Sequence, residues 1–364
     1  MNILFISDTL NSGGKERRLV ELLMELLNRK EFVPILILIK GVNSKQSIDY
    51  KYLLKKDIKI YYLANFNRFS LSIEIFKICK KENIKIINTW APIVNTYLIY
   101  PSKLLLKIPI LNNSITSARN NYSWHEFFKI KATYFMCDKI LSNSYQALKV
   151  FKVPEIKKLV IYNGFNQNRL NKLVNKNTVK QKFDIKTKFI VSMAAEYSYR
   201  KDYPTFIESA NIILNKNYDV TFLCMGSGDF TKYSKYVDKK FKRNIRFLNR
   251  QSDIESIINA TDIGALASSV EGLPNFLLEC MAIGKPVVAN FGDGVGTHEL
   301  VTDSENGYLV PARNPKLFAD KIIHLLENDN LRKKMGTNGK NIVKHKFDIK
   351  QMVDSFSDLF KIFN

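Results

Sequence analysis

Glu271 and Glu279 frame the stretch EGLPNFLLE, a Glu-x7-Glu pair around residues that are largely apolar. An ionised carboxylate accepts hydrogen bonds on two oxygens, so such a pair suits recognition of the vicinal hydroxyls of a sugar. Withdrawing a carboxylate from water costs on the order of several kcal/mol unless a donor meets it, so each glutamate calls for a partner. Arg200 and Lys201, in AAEYSYRKDY, precede a helical stretch. A cation there, beside a helix N-terminus, is placed to neutralise a diphosphate.

Glycines mark two further loops. Gly13 and Gly14 in SDTLNSGGKERR lie between a first apolar run and a helical pattern, where backbone N–H groups can approach an anion. Gly226 and Gly228 in CMGSGDF follow a later apolar run in the same way. The first of these loops matches neither the dinucleotide nor the P-loop glycine pattern, since Lys15 follows the glycines without a Ser or Thr beside it. The chain has no Asp-x-Asp, and no His or Cys ligand set accompanies the glutamates, so no metal site is expected.

The elements that must hold these residues alternate along the chain. NILFIS, PILILIK, IKIYYLA, IKIINTW and KILSNS read as strands, and KERRLVELLMELLNR and LSIEIFKICKKE as helices. Runs apolar on both faces imply a parallel sheet covered by helices. After KLVIYNGF, residues 166–187 are polar and read as a linker with a short helix. The alternation then restarts with KFIVSMAA, the helix YPTFIESANIILNK, DVTFLCMG, a Lys-rich helix, NIRFLN, DIGALASS, the helix NFLLECMAIG and KPVVANF. The expected architecture is α/β, two Rossmann-like doubly wound parallel-sheet domains facing across a cleft, over residues 1–165 and 188–345. The tail, 346–364, reads as an amphipathic helix that packs back on the first domain. Ligands of such sheets bind beyond the carboxyl ends of the strands, where the loops above lie.

With 364 residues, two cores are the natural expectation. The net charge is +22, and residues 1–165, with 26 Lys and Arg against 12 Asp and Glu, carry the larger share. Charge alone gives only nonspecific attraction, and no recognition helix, zinc spacing or aromatic RNA motif accompanies it, so nucleic acid is not an expected partner. The four cysteines are scattered in apolar segments without a Cys-x-x-Cys pair, which predicts reduced, buried thiols in a cytoplasmic protein. The opening MNILFIS reads as a buried strand and not as a secretion signal. The longest greasy region, residues 91–111, is broken by Pro101, Lys103 and Lys107 and falls short of a spanning helix. PSKLLLKIP and NNYSWHEFFKIKATYF mix Lys with Trp124, Phe127, Phe128 and Tyr134, as segments at a membrane surface do.

The stretch SSVEGLPNFLLECMAIGKPVVAN strongly resembles the signature of the retaining glycosyltransferases of family 4, the glycosyl transferases group 1 with the GT-B fold. NSGGKER, VIYNGFN, YSYRKDYPTFIESA and HELVTDSENGYLVPARNPKLFADKI resemble further segments of that family, in the family's order. The resemblance implies that Glu271 contacts hydroxyls of the transferred sugar and Glu279 those of the nucleotide ribose. It places the backbone amides of Asn275, Phe276 and Leu277 near phosphate or sugar, and Lys201 on the leaving diphosphate. Gly13 and Gly14 would close from the other domain, and Gly226 would line the donor. Catalysis would fall to Glu271 and Lys201, without metal or cofactor, the nucleotide-sugar being a co-substrate. Where many members carry Arg five or six residues before the Lys, this chain has Glu196 and Ala195, with Arg200 as the neighbouring cation. Where many place a His in the first domain, Arg119 stands near the position and His125 further along.

The expected function is transfer of a sugar from a nucleotide-sugar donor to a glycan or lipid-linked glycan acceptor in bacterial capsule, lipopolysaccharide or O-antigen assembly. The expected location is the cytoplasm, with peripheral association at the anionic inner face of the cytoplasmic membrane. The alternative is an epimerase or a noncatalytic sugar-nucleotide binder of the same fold.

Overall fold

A computed structural model describes residues 1–11, 13–40, 50, 58–63, 67–91, 99–115, 123–292 and 294–363. The chain divides into two compact units, residues 1–164 with 349–364, and residues 165–348.

Unit 1 runs β1 (Asn2–Ser7), α1 (Gly14–Asn28), β2 (Val33–Leu38), β3 (Lys59–Tyr62), α2 (Arg68–Lys81), β4 (Ile86–Thr89), α3 (Tyr100–Leu106), β5 (Ile110–Ile115), α4 (Trp124–Met136), β6 (Lys139–Ser142), α5 (Tyr145–Val150) and β7 (Lys158–Val160). Among the described residues, seven strands of this unit pair in parallel in the order β3-β2-β1-β4-β5-β6-β7. Side chains alternate between two apolar layers, with Ile3 and Phe5 in one and Leu4 and Ile6 in the other. Successive residues of a strand face opposite ways, so a sheet covered on both faces needs apolar residues at every position. The layer beneath Ile3 and Phe5 is closed by α1 and by the final helix of the chain, Ile349–Ile362, through Met352, Val353, Phe356 and Phe360. Arg18 of α1 lies buried in that layer. Its guanidinium sits 5.1 Å from the Trp90 ring and 5.6 Å from that of Phe356, and it donates to the Ile161 carbonyl at 2.6 Å. Burial lowers its pKa to about 9, which leaves it cationic at neutral pH.

Unit 2 runs α6 (Lys176–Lys182), β8 (Phe189–Ala194), α7 (Tyr203–Asn215), β9 (Val220–Gly226), β10 (Ile245–Asn249), α8 (Ile254–Ala260), β11 (Ile263–Leu266), α9 (Asn275–Ala282), β12 (Val287–Phe291), β13 (Gly307–Pro311), α10 (Pro315–Glu327) and α11 (Asp329–Lys346). The remaining helix, α12 (Ile349–Ile362), returns to unit 1. Six parallel strands pair in the order β10-β9-β8-β11-β12-β13, so the direction of winding reverses between β8 and β11.

One expected element is absent. The Lys-rich stretch after β9 forms short 3-10 turns at Thr231–Tyr236 and Lys239–Phe241, not an α-helix. Phe230 packs edge-on to Tyr197, Tyr233 packs tilted against the same ring, and Phe230 stacks on Phe247 at 5.4 Å, so local aromatic anchoring replaces the apolar stripe that a helix would bury. All four thiols are buried. Desolvation pushes them up, Cys79 to about 11 and Cys137 to about 12, so they are protonated and inert at neutral pH.

Candidate functional site

The winding reverses between β8 and β11, and open parallel sheets usually take their ligands beyond the carboxyl ends of the strands at such a reversal. The loop after β8 carries Arg200 and Lys201, and the loop after β11 carries Glu271. Three hydrogen bonds lock these loops together: the Ser269 amide and the Ser268 and Ser269 hydroxyls all donate to the Arg200 carbonyl, at 2.9 to 3.1 Å. The lock brings the Lys201 ammonium within 2.6 Å of Glu271 Oε1, with both side chains mostly buried. A third loop, after β12, holds Glu271 from the other side. The Glu271 amide donates to Gly294, and its carbonyl accepts from Gly296 at 3.1 Å.

Pro274 shapes the turn from this loop into α9. Asn275, Phe276 and Leu277 form the first turn of α9, the end of a helix that carries its partial positive charge. Glu279 follows one turn on, 8% exposed. Its partner is Arg169, which the sequence pattern had not singled out. The Arg169 guanidinium lies 2.5 Å from Glu279 Oε1 and 2.5 Å from Glu255 Oε1, and its Nε donates to Glu255 at 2.7 Å. Arg169 stands in a 3-10 turn, Gln167–Leu170, within the segment read as a linker, and Glu255 lies in the first turn of α8. The only sequence signal for either was the general requirement of a buried carboxylate for a cation.

The other expected residues fall in different surroundings. Arg200 is about half exposed, 3.9 Å from Glu196, and makes no closer ion pair among the described residues. Gly226 ends β9 where a Cβ would stand 1.8 Å from the Ala195 carbonyl, so glycine there allows β8 and β9 to close at their ends. Gly13 is the N-cap of α1 and Gly14 its first residue, both in unit 1. His125 lies on the surface of α4, its ring edge-on to Trp124. Arg119 lies outside the described residues. Among the described residues, no group of three or more His, Cys, Asp or Glu is disposed to hold a metal ion.

Comparison with known proteins shows likeness in sequence and in fold. Residues 175–342 match the profile of the family Glycosyl transferases group 1. The chain is 25% identical over 306 residues to UDP-Gal:alpha-D-GlcNAc-diphosphoundecaprenol alpha-1,3-galactosyltransferase of Escherichia coli, across 79% of this chain and 78% of that protein. It is 24% identical over 376 residues to a Campylobacter jejuni alpha-1,4-N-acetyl-D-galactosaminyltransferase named for a diNAcBac-PP-undecaprenol-linked substrate, across 99% of this chain and 98% of that one. The crystal structure of Anabaena HepE in complex with UDP-glucose superposes with a TM-score of 0.84 at 19% identity, covering 99% of both chains. Residues 175–342 are thus a glycosyl transferases group 1 domain, set in a chain with the two-domain GT-B fold.

Proposed function

We propose that the protein is a retaining, metal-independent hexosyltransferase of family 4 that moves a sugar from a UDP-sugar to a lipid-linked glycan in bacterial surface polysaccharide assembly. The observation that carries this reading is the Lys201–Glu271 pair, 2.6 Å apart at the winding reversal and followed by the N-terminus of α9. The donor's diphosphate competes with Glu271 for Lys201, and the released carboxylate accepts from the sugar's hydroxyls. Glu279 accepts from the ribose. As the bond from the anomeric carbon to phosphate breaks, Lys201 and the helix dipole stabilise the charge growing on the leaving oxygen. The acceptor oxygen bonds to the same face of that carbon and passes its proton to the departing phosphate. UDP in the names of the E. coli relative and the Anabaena neighbour supports the donor, and the undecaprenol in both relatives' names supports the acceptor.

Such an acceptor is held in a membrane. We place the protein peripherally at the inner leaflet, through α3 and α4. Trp124, Phe128, Lys131 and Phe135 recur at helical spacing on α4 and are exposed, and Leu104 and Leu105 are exposed on α3. Tyr134 does not share this face: it is buried, its hydroxyl donating to the Phe151 carbonyl at 2.6 Å. Among the described residues no helix is long and apolar enough to cross a membrane.

A thermal-shift panel of UDP, GDP, CMP and TDP tests the donor. A ligand specific to the native state at about 100 times its Kd adds about 2.7 kcal/mol, a shift of several degrees. UDP is expected to stabilise the wild type and to do so much less in Glu279→Ala, and Glu271→Ala is expected to fold but to transfer no sugar. Failure of every nucleotide to raise the Tm would overturn the reading.

A further inference from the structure

We infer that Arg169 is a positioning residue for the donor: it fixes the Glu279 carboxylate in the orientation that receives the nucleotide ribose. The inference rests on the reading of Glu279 as a ribose ligand. Arg169 is held on three sides. Its guanidinium lies 4.7 Å from the centre of the fully buried Phe165 ring and bridges Glu255 and Glu279, each at 2.5 Å. Phe165 is itself fixed, its amide donating to the Phe347 carbonyl at 2.7 Å. The side chains of Arg169, Glu255 and Glu279 are 14%, 8% and 10% exposed, so water screens their attraction little.

This geometry does more than neutralise. A planar guanidinium with several fixed N–H donors sets the directions of the oxygens it grips, which an ammonium on a flexible stem does not. Here Glu255, bound through both Nε and the terminal nitrogen, sets the plane of the fork, and the same terminal nitrogen takes Glu279 Oε1. A carboxylate has about four lone-pair sites, so one held oxygen leaves acceptor capacity for hydroxyl donors. Without the fork, Glu279 would turn among rotamers beside a second buried carboxylate that repels it. Binding of the ribose would then carry the cost of ordering it.

The test compares the affinities of the full-length protein for UDP and for 2′-deoxy-UDP by titration calorimetry, alongside far-ultraviolet circular dichroism. The two probes differ only in one ribose hydroxyl, so their ratio reports ribose recognition and is insensitive to loss of phosphate or base contacts. In the wild type UDP is expected to bind about tenfold more tightly, the size of a hydrogen bond to a charged group. In Arg169→Met the ratio is expected to fall towards one, as in Glu279→Gln. In Arg169→Lys, which keeps the charge without the fork, it is expected to fall most of the way. A wild-type ratio in folded Arg169→Met overturns the inference, as does a wild-type ratio in Arg169→Lys, which also decides the matter if the Met variant does not fold. If instead the wild type shows no preference and Glu279→Gln changes nothing, the reading of Glu279 is what fails.

Discussion

Each carboxylate of the Glu-x7-Glu pair is met by its own cation, and both cations come from far away in the chain. Lys201 lies 70 residues before Glu271, and Arg169 lies 110 residues before Glu279. The sequence states that buried carboxylates need donors. It does not state which, because proximity is decided by strand order. Lys201 was visible as a cation following an apolar run. Arg169 was not, since residues 166–187 read as a polar linker poor in large apolar residues and the turn that places Arg169 is held by contacts with Phe165 and α8. If Lys201 stabilises the leaving phosphate, Lys201→Met lowers kcat about 10² to 10³-fold, the usual effect of removing one preorganised electrostatic contact. The check is single-turnover transfer at saturating UDP-sugar, where a wild-type rate would remove Lys201 from the chemistry.

At the scale of elements, the strands were the most legible, because a sheet covered on both faces leaves continuous apolar runs such as NILFIS and DVTFLCMG. Their order was not. Nothing in β8 or β11 announces that they are neighbours, yet that adjacency unites Lys201 with Glu271. The Lys-rich stretch after β9 misleads for the opposite reason: its composition favours helix while its aromatic residues are committed to a cluster around Tyr197. In α4 the same pattern carries two assignments. Tyr134 turns inward, while Trp124, Phe128 and Phe135 form an exposed stripe interrupted by Lys131. An apolar stripe with a basic residue is the arrangement that inserts at an anionic interface. The protein is therefore expected to float with phosphatidylglycerol vesicles, less so in high salt, and least as the Trp124→Ala, Phe128→Ala double variant. Recovery of all the protein at the bottom of the gradient would exclude the membrane face.

For the whole molecule, the division into units is not a division of the chain into front and back. Residues 165–348 are inserted between the body of unit 1 and its last helix, and the ends of the insert meet: the Phe165 amide reaches the Phe347 carbonyl, and Phe165 pairs with Asp348 as a parallel bridge. A unit whose ends are joined by its own hydrogen bonds is expected to fold alone. Residues 165–348 expressed by themselves should melt cooperatively and bind UDP, whereas residues 1–164, stripped of Met352, Phe356 and Phe360, should not reach a cooperative native state. A noncooperative melt of the 165–348 fragment would show that it depends on unit 1.

The position of α12 also sets an order of events on the ribosome. Domains commonly complete folding in the order in which they are synthesised. Here the part of the chain made first cannot close its core until the final turns of α12 emerge, because Phe356 stacks on Trp90 and Phe360 packs edge-on to Phe5. The unit begun second is finished first, and the opening strands wait, partly uncovered, through the translation of everything between.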